Sequence, residues 1–252
     1  LEANVAVSRY KGEYEEWASF PYGQIAGTVY NFGNGFLPSE SVKTFATASL
    51  LARLGDDFLS HQLLVGLDYD DTDYFGAMYF NPVWATLDYA VDNPTAPFGP
   101  TPPLFFDQND RLKTAAIFAQ DQIGIGEQLD ITVGLRWTRL DINSVINDGF
   151  FDHVTDRVDE KVTPRVGVTY EMIDGVSLFA GYAEGFQGVV GAGFYGLTSP
   201  EPETSQSYEA GAKFAAPIKG LTGTVSLFQI ARQNVLTPDP IIPFAYIQTG
   251  EQ

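Results

Sequence analysis

Cysteine is absent from the 252 residues, so no disulfide framework and no thiolate metal site can form. Histidine is scarce. His61 and His153 are the only two, which leaves few parts for imidazole-based metal or nucleophile chemistry. No Gly-x-Ser-x-Gly nucleophile elbow occurs. Positive charge is also short: 14 Lys and Arg stand against 32 Asp and Glu, a net charge of −18. Nucleic-acid phosphates need a basic face, so this balance argues against a nucleic-acid partner. No run approaches the roughly 18 consecutive apolar residues of a membrane helix. That excludes a helical membrane protein but leaves a β-barrel open, because barrel strands hide half of their residues from a hydropathy window.

What the chain does have is alternation. In Lys161–Glu171, Val162, Pro164, Val166, Val168 and Tyr170 share one parity, and Thr163, Arg165, Gly167, Thr169 and Glu171 the other. Side chains on a strand point to opposite faces with period two, so this is a strand with one apolar and one polar face. Asp174-Gly175 suits a tight hairpin turn. The pattern resumes through Val176–Phe186, and again where Tyr208, Ala210, Ala212 and Phe214 oppose Ser207, Glu209, Gly211 and Lys213. A soluble sandwich turns its apolar face inward and a membrane barrel turns it outward; periodicity alone does not separate them.

Nine strands are expected in chain order: 1–17, 42–54, 61–74, 111–123, 129–142, 161–172, 176–186, 204–214 and 221–236. The expected loops are 18–40, 75–109, 143–160 and 187–203, and the short turns are 55–57, 124–128, 174–175 and 217–220. Ile247–Gln252 reads as the approach to a tenth strand. Connections alternate long and short throughout, which puts all long ones at one end of a hairpin-connected sheet. Outer-membrane barrels are built that way, with long outer loops and short periplasmic turns. Aromatics make up 14% of the chain, as the interfacial girdles of a barrel require, though a sandwich core raises the count too.

The segments TPRVGVTYE, SLFAGYAEGF, PEPETSQSYEAGAKF and SLFQIARQNVL, with IFAQDQIGI and LDITVGLRW before them, resemble the barrel of TonB-dependent outer-membrane receptors. The likeness is to the siderophore receptors in particular, and it covers most of the chain from His61 onward. It implies an all-β, antiparallel up-and-down transmembrane barrel, here incomplete. Receptors of this class have 22 strands and a plugged lumen. Residues 1–252 would then be part of the barrel, with the plug, the N-terminal strands and the C-terminal strands outside this chain. The resemblance implies uptake of a ferric siderophore across the outer membrane of a Gram-negative cell, with outer-membrane lipid around the barrel. The TonB energy-coupling complex would act through the missing plug. Iron would belong to the siderophore, so no resident cofactor, no protein metal site and no catalytic residue is expected. Two other readings stay open: a passive porin-type channel, and a soluble β-sandwich that binds glycans.

Several motifs invite chemistry. Gly191, Gly193 and Gly196 spell G-x-G-x-x-G, but Pro200 and Pro202 follow too closely for the helix that a dinucleotide site needs. Asp68, Asp70, Asp71 and Asp73 crowd one strand end. Calcium favours such oxygens, yet the EF-hand spacing fails and a solvated strand mouth accounts for them as well. Carboxylates are plentiful enough for a hydrolytic pair, but a polar barrel face supplies them equally. Tyr79, Phe80 and Trp84 in one long loop, and Phe186, Phe194 and Tyr195 in another, are candidates to grip a ligand at the barrel mouth. Interface anchoring or loop packing would use the same residues. The acidic balance favours a neutral or cationic ferric siderophore over a polyanionic one.

Overall fold

Strict alternation over Leu129–Trp137 and Lys161–Glu171 produces extended chain, and the neighbouring segments pair with it into one antiparallel sheet. The computed structural model describes residues 1–90, 101–147, 149, 151–190, 200–215, 222–241 and 246–249. Nine strands follow one another in sequence order across the sheet. They are β1 (Glu2–Ala26), β2 (Val29–Gly55), β3 (Leu59–Asp88), β4 (Leu104–Ile125), β5 (Leu129–Asn147), β6 (Asp152–Ile173), β7 (Val176–Gln187), β8 (Glu203–Ala215) and β9 (Thr222–Gln233). This is the up-and-down order expected of a hairpin barrel, and no helix occurs among the described residues.

The strands are far longer than their apolar stretches. β1, β2 and β3 run for 25, 27 and 30 residues, where about 10 suffice to cross a bilayer. Much of what reads as loop is therefore strand. Residues 18–40 continue β1 and β2, which meet at a turn on Gly27, whose φ of 54° suits glycine. Residues 75–88 continue β3, and the segment 143–160 mostly continues β5 and β6. The prolines that suggested loops sit where no ladder donor is needed. Pro21 is at a register shift. The β2–β3 ladder skips from Phe36 to Ser39, passing over Pro38, and skips from Asn81 to Ala85, passing over Pro82.

The chain's end also differs from expectation. Asn234 takes a φ of 59° after β9. β10 (Val235–Pro238) and β11 (Tyr246–Thr249) then form a separate two-stranded hairpin instead of extending the main sheet. The turn at 217–220 lies outside the described residues.

Directly opposed residues share a face. One row runs Val5, Ala48, Leu67, Ile117, Trp137, Val162 across six strands. The next runs Ser49, Gly66, Phe118, Arg136, Thr163. The first row is apolar and open: Leu67, Ile117 and Val162 are 53%, 60% and 52% exposed. A sandwich would cover that face with a second sheet. The nine-stranded sheet is instead a single layer. The alternation read in β6 to β8 holds, and β5 joins it: Leu135, Val166, Val168, Ala212 and Phe214 lie on the apolar side and Arg136, Arg165, Glu171, Glu209 and Lys213 on the polar side. On β4 the odd residues, Ile117 and Ala119 among them, share the apolar side.

Candidate functional site

The polar face is built around glycines that let a neighbour's ring lie flat. A Cβ on Gly66 would come within 2.5 Å of Phe118, so the ring of Phe118 occupies the space that a side chain on β3 would fill. The Arg136 guanidinium lies over that ring, 5.8 Å from its centroid, and continues to Asp68 at 2.7 Å. Thr47 donates to the other Asp68 oxygen at 2.8 Å. The same device recurs on β7 and β8. Phe179 fills the space beside Gly211, and the Lys213 ammonium sits 5.2 Å from its ring centroid. Stacking a cation on a ring and pairing it with a carboxylate fixes side chains that would otherwise sweep across the polar face.

The four aspartates that suggested calcium do not converge. Asp68 and Asp70 are on the polar face, where Arg136 and Lys43 hold them at 2.7 Å each. Asp71 and Asp73 point to the apolar side of the sheet above its oily stretch, and both meet Arg111. The Arg111 guanidinium hydrogen-bonded to Asp71 holds that carboxyl below the usual range. Among the described residues no group of three or more His, Asp or Glu is placed to share a metal.

Further along the strands the polar-face parity turns apolar. On β5 the series Arg136, Thr138 gives way to Leu140 and Ile142, which are 3% and 0% exposed. The segment that leaves β7 covers them. Gly188 packs so closely that an added Cβ would lie 3.2 Å from Leu112 and 3.3 Å from Ile142. Beside Ile142, Arg157 makes a two-bond pair with Asp159, 2.6 Å each, and donates to the Pro200 carbonyl at 3.0 Å. Thus both ends of the connection from β7 to β8 are tied to the polar wall. Gln248 on β11 then bonds the Glu201 backbone through its carbonyl and N–H. Nearby, Asp110 is buried and accepts hydrogen bonds from Ser144 and Gln108. Burial pushes its carboxyl above the usual range, and the two donors oppose the shift.

The sequence candidates separate in space. Tyr79 and Phe80 are adjacent on β3 and so face opposite ways. Tyr79 joins Phe36 and Trp17 on the apolar-side parity. Phe80 faces the polar side, where it stacks with Phe20 at 5.8 Å across Gly33 and meets Tyr22 and Phe105. Trp84 is half-buried in the bulge between Asn81 and Ala85. Phe186 pairs opposite Thr204 on the parity of Leu178 and Tyr182, which is the apolar side. Phe194, Tyr195 and the glycines of G-x-G-x-x-G lie outside the described residues. Four strand spacings, about 19 Å, separate β3 from β7. Phe20, Phe105, Leu140, Ile142 and Arg157 were not among the candidates. The signal for Leu140 and Ile142 was the change of chemistry at constant parity on β5.

A family model, TonB dependent receptor-like, beta-barrel, matches residues 4–252. The chain belongs to that family. It is 32% identical over 208 residues to the metal-pseudopaline receptor CntO of Pseudomonas aeruginosa, covering 80% of this chain and 29% of that one. It is 26% identical over 200 residues to the ferrioxamine B receptor of Salmonella typhimurium, covering 75% and 26%. The ferripyoverdine receptor of the outer membrane of Pseudomonas aeruginosa, solved with ferripyoverdine, shares the fold with a TM-score of 0.70 at 17% identity, over 97% of this chain and 34% of the other. The chain thus spans less than a third of the curated relatives' length.

Membership in the TonB-dependent receptor family places the chain in the Gram-negative outer membrane as barrel wall, among receptors and transporters that are not enzymes. In such a barrel the apolar face is the outer one and the polar face lines the lumen. Barrels of this kind reach far beyond the bilayer on the outer side and turn close to it on the periplasmic side. By that rule the extended ends of β1 to β6 are the outer ones, and the turns after Gly55, Ile125 and Ile173 the periplasmic ones.

Proposed function

We propose that the protein takes up ferric siderophores by TonB-dependent active transport and that this chain is a lumen wall and part of the outer mouth. The observation that carries the reading is the 32% identity to the metal-pseudopaline receptor across 80% of the chain. The rest of the barrel and a plug are assigned to parts of the protein flanking this chain, in a parent of 22 strands. TonB acts through that plug. Iron enters as part of the ligand, and the protein needs no resident metal.

The mouth supports this reading chemically. Phe80 with Phe20, Tyr22 and Phe105 offers an aromatic surface on the lumen side, and Arg157 and Asp110 lie on the same face. Aromatic surface beside a few fixed polar groups suits a bulky chelate. Phe80 therefore stands ahead of Tyr79, Trp84 and Phe186 as a ligand contact, and Phe194 and Tyr195 stay candidates. A neutral or cationic chelate suits the acidic chain better than a polyanionic one.

The test is uptake of radiolabelled ferric siderophores by iron-starved cells carrying the full-length receptor as their only route. Uptake should vanish when TonB is deleted. Phe80→Ala should weaken siderophore binding while leaving barrel assembly intact. Uptake that persists without TonB would make the protein a passive channel.

A further inference from the structure

Most cations on the lumen face of the wall already have a carboxylate. Lys43 meets Asp70, Arg136 meets Asp68, Arg157 meets Asp159 and Lys161 meets Glu184. Arg165 on β6 differs. It is exposed and takes part in no ion pair among the described residues. Its stem lies across β5 at Gly134, where an added Cβ would come within 2.9 Å of its Cγ and 3.2 Å of its Cδ. Glycine at 134 lets that stem lie flat, as Gly66 does for the Phe118 ring. The register puts Gln120 of β4 on the far side of Gly134, so the stem carries the guanidinium toward that amide.

A cleft of about 390 Å³ opens there, with Asp68, Gln120, Arg136, Thr163, Arg165 and Glu184 among its walls. Both of its acids are engaged. Asp68 accepts from Arg136 on one oxygen and from Thr47 on the other. Glu184 accepts from the Tyr182 hydroxyl at 2.6 Å and faces Lys161 at 3.4 Å. What the cleft offers is a guanidinium beside an amide, a donor set that suits a carboxylate.

The position of the cleft selects the carboxylate. Val162 and Val166 stand exposed on the opposite side of the same strand, so the cleft is level with the oily stretch. It lies roughly 26 Å along β6 from Arg157 at the mouth. A dissolved anion would reach it only past the mouth of a chain whose net charge is −18. A carboxylate fixed on a domain inside the barrel meets no such barrier, because it is placed there as the protein assembles.

We propose that this cleft is a docking site for an acidic side chain of the plug, held by the Arg165 guanidinium with Gln120 beside it. The proposal rests on the reading of the protein as a plugged, TonB-dependent transporter. It goes further by naming the stretch of wall, β4 to β6, that holds the plug and the chemistry of the hold. The seat on Gly134 orders the arginine stem before the plug arrives, so little side-chain freedom is left to lose on docking.

Carbodiimide coupling tests this, because it joins an amine to a carboxylate only where the two touch. Arg165→Lys in the full-length receptor puts an amine at the site. Tandem mass spectrometry should find that amine joined to one Asp- or Glu-containing peptide of the plug. Gln120→Lys, which keeps Arg165, should couple to the same peptide and serves if the first variant does not assemble. The Lys43–Asp70 pair is the control within this chain. Coupling of Lys43 to Asp70 while neither new amine reaches the plug overturns the proposal. So does coupling of the new amine to a carboxylate of added ferric siderophore, which would make the cleft a ligand station. If uptake in those cells still requires TonB, the docking site alone has failed and the transport reading stands.

Discussion

Arg136 on β5 passes over the Phe118 ring of β4 to reach Asp68 on β3, closing an ion pair at 2.7 Å across two strand spacings. The pair ties non-adjacent strands, which backbone hydrogen bonds alone do not do. Its charged atoms are partly exposed, so solvent screens it. In a double-mutant cycle of Asp68→Ala with Arg136→Ala, the coupling should be about 1 kcal/mol. The measurement is a urea titration of the full-length receptor in vesicles. Strict additivity of the two substitutions would mean that the pair adds nothing.

Gly66 gives a sharper test of the same cluster. A Cβ there meets Phe118 at 2.5 Å and the Ala48 carbonyl at 2.8 Å, so both ring and backbone must move. Gly66→Ala should destabilise the barrel by about 1–3 kcal/mol. Adding Phe118→Ala should recover only part of that, because the carbonyl remains. Full recovery would show that the backbone contact is slack.

The two faces predict an asymmetry on β6. Val168→Arg puts a charge on the apolar face and should destabilise folding into lipid by about 2–4 kcal/mol near the bilayer midplane. Thr169→Arg, one residue on, points into the lumen and should be much milder. Equal effects in a lipid-folding titration would contradict the assignment.

Acidity should act on the mouth with opposite signs at two aspartates. Asp110 has its carboxyl raised by burial. Its contribution is therefore full below the unfolded carboxyl value and is lost as pH rises through the raised folded value. Asp71 is lowered, chiefly by its hydrogen bonds from Arg111. Its contribution is present above the unfolded value and is lost as pH falls through the lowered one. Thermal melts of the full-length receptor from about pH 3 to about pH 8 should read this out. Asp110→Asn should flatten the loss on the alkaline side, and Asp71→Asn the loss on the acid side. An unchanged profile in both variants would remove these groups from the pH response.

The part of the fold legible in the sequence is the part that lipid selects. On Leu129–Trp137 and Val162–Tyr170 one face must be apolar and the other polar, so parity alone assigns strand and face. Past the oily stretch neither face has that requirement. Ser39, Glu40 and Ser41 of β2 alternate nothing, and Pro21, Pro38 and Pro82 read as breaks because their tolerated ladder gaps depend on the partner strand. The mouth was harder still. Phe80 could be named as an aromatic near the mouth, but its direction depends on its register with Gly35 and Gly33. Leu140 and Ile142 are polar-face residues made apolar by a covering segment more than 40 positions away, a dependence that no local pattern carries.

The extension of β3 has a consequence for what an approaching molecule first encounters. From Tyr69 to Asp88 the strand rises roughly 50 Å beyond the oily stretch at the usual rise and tilt. The ladder to β2 continues along that rise and the aromatic stack around Phe80 braces it. Along β2 and β3, what reads as loop is thus paired sheet that stands well above the oily stretch. Antibodies, competing binding proteins and small chelates that reach this part of the wall would meet a surface of fixed shape.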